Sequence, residues 1–230
     1  IGGGLSSWIL PAGLLTSVGM LTTELGRTQI AAERINSIFQ YSFGKNASNE
    51  MRYVAELSNE LGQNFEVLRE SYGKFAASAE SANFTSAETK SIFEGITKAG
   101  AALGMTNDEV NGSFLAVSQI ASKGKVSLEE LRGQLGERLP NAMGLAAKAM
   151  GVTTQEFEKM IENGLSANEF LPKFAKVLNE TFDESASRNA QGLNAELNRL
   201  KNSWLELKET ASGGIFNEGL QIATIAASNT

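Results

Sequence analysis

Histidine and cysteine are both absent from the 230 residues of the sequence. Histidine is the commonest general base and metal ligand in proteins, and the cysteine thiolate is a common nucleophile. A Ser-His-Asp triad, a Cys-His pair and a histidine-rich zinc site are therefore excluded, as are disulfide bonds. We predict that the chain is not an enzyme and that it binds no cofactor and no metal.

Positive charge is also in short supply. The chain has 20 Lys and Arg residues against 26 Asp and Glu residues, which gives a net charge of −6 and a pI near 5.0. Proteins that bind nucleic acids neutralise phosphates with clustered cations. The densest basic stretch, residues 123–138, mixes four cations with three glutamates, as a solvated helix face does. We predict no specific nucleic-acid binding.

Strand signals are scarce as well, since no alternating run of Val, Ile, Thr and aromatic residues reaches five residues. Apolar residues instead recur at helical spacing, and Ser/Thr-x-x-Glu patterns mark helix starts. In such a capping box each side chain accepts a hydrogen bond from an otherwise unpaired backbone amide. The five candidate boxes are Thr85/Glu88, Thr106/Glu109, Ser127/Glu130, Thr153/Glu156 and Ser166/Glu169. The predicted fold class is all-α: a compact array of short capped helices, with an N-terminal apolar segment and a C-terminal heptad helix.

Residues 1–23 contain no ionisable side chain. A run of this length could span a bilayer, but Gly, Ser, Thr and Pro11 dilute it and no basic cluster flanks it. Two interpretations stay open: an apolar segment that packs inside an assembly, or a membrane-active segment. The apolar side chains that would enter the membrane are Trp8, Ile9, Leu10, Leu14, Leu15, Met20 and Leu21. Because the chain begins with Ile, we also expect it to be a segment of a longer polypeptide.

A heptad pattern runs near the C-terminal end. Ala186, Ala190, Leu193, Leu197, Leu200, Trp204, Leu207 and Ala211 alternate spacings of four and three, with polar flanks that include Asn198 and Arg199. This is the a/d pattern of a coiled coil. We predict self-association through the coiled-coil seam Leu193, Leu197, Leu200, Trp204 and Leu207; docking of the helix back onto the domain is the alternative. The predicted segments are 1–23, the helical domain 24–185, the heptad helix 186–211, and an apolar tail 212–230 leading into the rest of the parent chain.

Motifs that resemble chemical sites fail on spacing. Gly124-Lys125-Val126-Ser127 lacks the earlier glycine and the Ser or Thr after Lys that a phosphate-binding loop needs. The paired carboxylates are adjacent in sequence, so on a helix they point about 100° apart. A muralytic enzyme would need two carboxylates facing each other across a cleft. That activity is only a remote alternative.

Residues 124–142, GKVSLEELRGQLGERLPNA, carry the most specific pattern of the chain. Leu128, Leu131, Leu135 and Leu139 fall on one helical face, and Pro140 suits the first turn of the next helix. We take these four leucines and Pro140 as a packing face. Gly133 and Gly136 lie away from that face. Either they let a neighbouring backbone approach closely or the helix breaks there. Both a partner-facing elbow and ordinary helix-turn-helix packing fit the pattern.

This stretch resembles the signature segment of phage tail tape-measure proteins: a glycine, an S-x-E-E-L cap, then L-x-x-x-L-P-x-A. The resemblance extends over roughly residues 20–210, through Gly151-Val152-Thr153-Thr154-Gln155-Glu156-Phe157, Gly164-Leu165-Ser166-Ala167 and a leucine-repeat helix ending near a Trp. Residues 124–142 are called the signature segment below.

The resemblance implies a structural protein that occupies the lumen of a phage tail tube, sets tail length during assembly and leaves ahead of the DNA. The partners that it implies are the tail tube, tail-tip or hub proteins and tail assembly chaperones, with the host inner membrane as a further possibility. The implied locations are the host cytoplasm during assembly, then the virion tail lumen, and the host membrane if residues 1–23 insert there.

Overall fold

A computed structural model describes residues 30–211 of the chain. Within this range the secondary structure is helical, and the only β pairing is an isolated antiparallel bridge between Lys125 and Ser166. The prediction of an all-α fold is confirmed. The predicted segments 1–23 and 212–230 lie outside the described residues, and so do Trp8, Ile9, Leu10, Leu14, Leu15, Met20 and Leu21.

The helices follow one another with short connections. They are α1 over residues 30–43, a 3-10 turn Gly44–Asn46, α2 Ala47–Glu60, α3 Phe65–Ser81, α4 Ser86–Leu103, α5 Asn107–Lys123, a π-helix Glu129–Leu135, α6 Ala142–Met150, α7 Thr154–Glu162, α8 Ala167–Asn189 and α9 Leu193–Ala211. No helix within residues 30–211 is long and apolar enough to cross a membrane.

The described chain falls into two compact units, one of them Ile35–Ser203. In this unit α4 packs along α8, α3 packs along α5, and α6 and the π-helix complete the core. Its aromatic centre is a chain of rings: Tyr72 contacts Phe39 and Phe93, and Phe93 stacks on Phe114 with centroids 4.8 Å apart. Residues 30–34 and 204–211 belong to the other unit.

Three of the predicted capping boxes close helix starts, at α4, α5 and α7. At α4 the Thr85 hydroxyl accepts from the Glu88 amide at 3.2 Å, and the Glu88 carboxylate accepts from the Thr85 amide at 2.8 Å. The Thr106/Glu109 and Thr153/Glu156 boxes repeat this geometry. In all three, the hydrogen bond from the threonine amide holds the pKa of the glutamate below its ordinary value of 4.5.

These boxes predict how stability depends on pH. A carboxylate whose pKa is lower in the folded state stabilises the fold above its unfolded pKa, and this contribution is lost as pH falls through the folded pKa. We expect the urea midpoint to fall between pH 6 and pH 3, and to fall less in the Glu88→Gln, Glu109→Gln, Glu156→Gln triple variant.

A matched control variant replaces Glu169, Glu180 and Glu184 of α8 by Gln in the same way. These three glutamates pair with side chains one turn away and accept no hydrogen bond from a backbone amide at a helix start. This variant should keep the wild-type pH dependence. An equally steep acid loss in the capping-box variant would show that the boxes do not contribute to it.

The predicted single heptad helix over residues 186–211 is wrong at its N-terminal side. Helix α8 continues through residue 185 to Asn189, and a turn at residues 190–192 separates it from α9. In this turn the Gly192 amide donates to the Asn189 carbonyl at 2.9 Å. Ala186 and Ala190 are buried. The boundary expected between residues 185 and 186 therefore lies inside α8, and the seam proper begins at Leu193.

Candidate functional site: the signature segment and helix α9

The signature segment is fastened at its start to the turn between α7 and α8. The Val126 amide donates to the Leu165 carbonyl at 2.9 Å, and the Ala167 amide donates to the Gly124 carbonyl at 3.0 Å. This bridge occupies the backbone on both sides of Ser166. The predicted Ser166/Glu169 capping box does not form: the Ser166 hydroxyl accepts from the Asn168 amide instead. Glu169 pairs with Lys173 at 3.0 Å, one turn along the helix surface.

Glu130 lies at the centre of the segment as a buried carboxylate, 1% exposed. The Ser127 hydroxyl and the Lys123 ammonium both donate to it. Its hydrogen bond with Lys123 raises the pKa of that ammonium, although desolvation acts in the opposite direction. Ser127/Glu130 is therefore not a capping box: no side chain caps the start of the π-helix, and the Glu130 carboxylate instead has the cation at the end of α5 as a charged partner, which is stronger than an amide.

The leucines of the signature segment pack inward, but Pro140 does not. Leu131, Leu135 and Leu139 are fully buried, and Leu128 packs partly buried against the same core. Pro140 is exposed and precedes α6, which begins at Ala142. It therefore belongs neither to the packing face nor to the first turn of the next helix. Asn141, not Pro140, makes the entry to α6, in a left-handed conformation with φ of 60°.

Two of the four leucines, Leu131 and Leu135, lie in a π-helix, Glu129–Leu135. The Gly136 amide donates to the Leu131 carbonyl at 2.9 Å, a bond across five residues. An outward-facing arginine then ties the segment to its neighbour, since Arg132 forms an ion pair with Glu158 of α7. The guanidinium of Arg138 lies over Gly112 of α5, where a Cβ atom would meet it. The signature segment is thus a junction that joins α5, α7 and α8.

The two glycines of the π-helix region have different roles. A Cβ atom on Gly136 would overlap the Arg132 carbonyl oxygen and would lie 3.2 Å from the Leu131 carbonyl oxygen. A Cβ atom on Gly133 would meet nothing within 4 Å. The requirement for glycine at position 136 therefore comes from the wide turn of the π-helix itself and not from a neighbouring helix.

We expect Gly136→Ala to lower the free energy of unfolding by about 2 kcal/mol, because the clash is with backbone that cannot rotate away. Gly133→Ala is the control: it should change the free energy by less than about 1 kcal/mol, towards greater stability. Urea denaturation followed by circular dichroism gives both values. Equal effects of the two substitutions would refute the π-turn explanation.

Helix α9 is anchored to the α2–α3 turn by polar side chains. The Asn202 amide group accepts from the Phe65 backbone amide at 2.9 Å and donates to the Gln63 carbonyl at 3.0 Å. Asn198 donates to the Gly62 carbonyl at 2.8 Å, and Arg199 donates to the Asn59 carbonyl at 2.8 Å. These side chains satisfy orphan backbone groups at the end of one helix and the start of the next. The sequence presented them only as polar flanks, because the carbonyls that they meet lie about 140 residues away.

The seam leucines of α9 lie on its other face and are exposed. The exposed fraction is 76% for Leu193, 45% for Leu197 and 67% for Leu200, and Trp204 and Leu207 are also exposed. Large apolar side chains repeated at heptad spacing on one exposed face are typical of an association surface. The helix does dock back onto the domain, as the alternative to self-association has it, but it docks through its polar face and leaves Leu193, Leu197 and Leu200 exposed.

No group of three or more Asp and Glu side chains within residues 30–211 is placed to hold a metal ion. What the fold and these sites define is an all-α structural module, with a signature junction and an exposed heptad face.

A family model described as tape measure protein matches residues 27–212. The chain therefore belongs to the tape measure protein family, as its signature segment indicated. It is 32% identical over 178 residues to the probable tape measure protein of Salmonella phage Felix O1 (isolate Felix O1-VT1). The matched region covers 76% of this chain and 23% of that protein. The chain thus spans about a quarter of the length of this curated relative. No solved structure matches it. Membership of the family supports a structural role in a phage tail, in association with other tail components.

Proposed function

We propose that this chain is the folded helical module of a tape-measure protein that occupies the tail tube lumen, sets tail length during assembly and is released ahead of the DNA. The observation that carries the proposal is the family match over residues 27–212, within which the described residues are helical. The buried leucines of the signature segment support it, because they are the residues that carried the resemblance and they hold the fold together.

A helical polypeptide can act as a ruler because it rises about 1.5 Å per residue, so its length is encoded in its gene. The longest described helix, α8, has 23 residues and is therefore only about 35 Å long. Residues 35–203 form a compact unit and not one extended helix. In this proposal the part that sets tail length lies elsewhere in the parent chain, and the folded module occupies one position along that chain.

The proposed partners are the tail tube, tail-tip or hub proteins and tail assembly chaperones, with self-association through the exposed face of α9. The net charge of −6 suits a protein that shares a tube with DNA without retaining it.

Quantitative mass spectrometry of purified tails tests the proposal. Trypsin releases the peptide Val126–Arg132 from the signature segment. We expect this peptide in finished tails at a few copies each, far below the tube protein. In-frame deletions in the parent gene outside residues 27–212 should shorten the tails in proportion to the residues removed. A protein present in the lysate and missing from tails, or tails of unchanged length, would contradict the proposal.

A second proposal concerns the host membrane, and the uncharged residues 1–23 support it. In it, this segment inserts after release and helps to form a channel for DNA delivery. The full chain and a variant lacking residues 1–23 should be compared for binding to liposomes of bacterial lipids. We expect only the full chain to bind. Equal binding by both, or by neither, would exclude the segment as a membrane anchor.

A further inference from the structure

The anchored and exposed faces of α9 coincide with the two sides of its heptad repeat. Leu193 and Leu200 take d positions and Leu197 takes an a position, and all three are exposed. The anchoring side chains Asn198, Arg199 and Asn202 take the b, c and f positions opposite the seam. Ala195, at the preceding f position, is buried at 4% exposure. Helix α9 is therefore docked through its b, c and f positions, and its a/d seam is exposed.

The residues on the two edges of the seam differ in charge, so they distinguish a parallel partner helix from an antiparallel one. The e positions, which follow d, are Asn194, Lys201 and Lys208; the g positions, which precede a, are Glu196, Ser203 and Thr210. Flanking e and g side chains set partner choice and orientation in coiled coils. In a parallel pair, a g residue faces the e residue five positions later on the other helix. Glu196 therefore faces Lys201 of the second copy, and the reverse contact repeats by symmetry.

We propose that the partner of this face is a second copy of the same helix, parallel to the first and in register. This inference rests on the self-association proposed above and adds its direction and register. Two Glu196–Lys201 pairs flank the layers formed by Leu197 and Leu200. Glu196 now pairs with Arg199 of its own helix at 2.6 Å, with 64% of its side chain exposed, and such an exposed pair is readily exchanged.

The antiparallel arrangement lacks this complementarity. It places e residues opposite e residues, so that Lys201 and Lys208 face the same lysine-rich row of the second copy. Like charges opposite each other oppose association. The a/d seam alone fits both directions, and the flanking charges select the parallel one. In a parallel arrangement the α9 helices of all copies run in the same direction, so the helical modules that hold them lie at the same position along the assembly.

Because the chain has no cysteine, single cysteines report the direction directly. Leu193→Cys and Leu207→Cys replace two exposed d positions 14 residues apart, about 21 Å along a helix. A disulfide forms only when the two Cα atoms come within about 7 Å. In a parallel, in-register pair each cysteine meets itself, so the two variants should each form a disulfide-linked dimer under mild oxidation. Sedimentation of the reduced variants shows whether association persists.

The outcomes separate the direction from the association itself. Disulfide-linked dimers in both variants support the proposal. A disulfide in only one variant or in neither, from a protein that still sediments as an oligomer, overturns the parallel arrangement and leaves self-association standing. A monomeric wild-type chain overturns both.

Charge reversal provides an independent measurement. Glu196→Lys and Lys201→Glu should each raise the dissociation constant of the self-association, by about tenfold for two pairs turned from attraction to repulsion. The double variant, and an equimolar mixture of the two single variants, should restore the wild-type value, because both place opposite charges together again. A double variant as weak as the single ones would overturn the Glu196–Lys201 contact.

Discussion

Replacing Phe93 by alanine is expected to lower the free energy of unfolding by about 3–5 kcal/mol. Phe93 is fully buried and lies in ring contact with Tyr53, Tyr72 and Phe114, so it connects α2, α3, α4 and α5. Deleting the ring removes its transfer free energy and leaves a cavity whose rigid aromatic walls cannot collapse into it. For a domain whose total stability is about 5–15 kcal/mol, this loss is a large fraction.

Urea denaturation followed by circular dichroism at 222 nm measures the loss. Leu115→Ala on α5 is the control, because Leu115 is 55% exposed and its truncation should cost less than about 1 kcal/mol. Equal costs for the two variants would contradict the described core. The Phe93 variant also tests whether tail assembly requires the folded module. At a temperature that unfolds this variant and not the wild type, we expect fewer complete tails if the fold is required for assembly.

How far the sequence predicts the helix starts is shown by the capping patterns. At Thr85, Thr106 and Thr153 the local pattern and the structure agree, because nothing distant competes for those side chains. At Ser127 and Ser166 the same four-residue pattern has a different outcome. Lys123 draws the Glu130 carboxylate away, and the bridge with Lys125 constrains the backbone of Ser166. The pattern predicts where a helix starts but cannot show these tertiary partners.

Helix α9 shows a second limit of sequence reasoning. The heptad spacing correctly separated an apolar face from a polar face, but apolar spacing alone does not show which face is covered. The polar face is the docked one, because Gly62 allows close approach at the α2–α3 turn: a Cβ atom there would lie 2.7 Å from the Ala195 Cα atom. Gly62 also has a φ of +62°, which favours glycine. Nothing near Ala195 in the sequence indicates this contact.

A buried polar network next to Phe93 was not predicted at all. The Tyr72 hydroxyl donates to Glu50 at 2.7 Å, and Lys90 pairs with the other oxygen of that carboxylate at 2.9 Å. The Lys90 ammonium also lies 4.7 Å from the centre of the Tyr53 ring. Burial, followed by the hydrogen bond to Glu50, raises the pKa of the Tyr72 hydroxyl far above its ordinary value. Tyr72 therefore stays protonated at neutral pH and donates its hydrogen bond to Glu50.

Glu50→Ala is expected to lower the free energy of unfolding by about 3 kcal/mol. It leaves the buried Tyr72 hydroxyl without an acceptor and deprives Lys90 of its counter-charge, although Lys90 is one-third exposed and regains some hydration. Glu50→Gln keeps an acceptor of the same shape and should cost only about 1 kcal/mol. An alanine variant no less stable than the glutamine variant would show that the hydrogen bond to Tyr72 contributes nothing.

The decisive comparison is Glu50→Met combined with Tyr72→Phe, measured by the same denaturation. Apolar groups of similar volume then replace both the buried donor and its acceptor, so neither is left unsatisfied, and Lys90, which loses its counter-charge, is one-third exposed and can be hydrated. We expect this double variant to lie within about 1 kcal/mol of wild type, while each single substitution costs more. Recovery of this kind would mean that the network adds little net stability and instead fixes α2 and α3 in one arrangement. Additive losses would mean that the two side chains act independently.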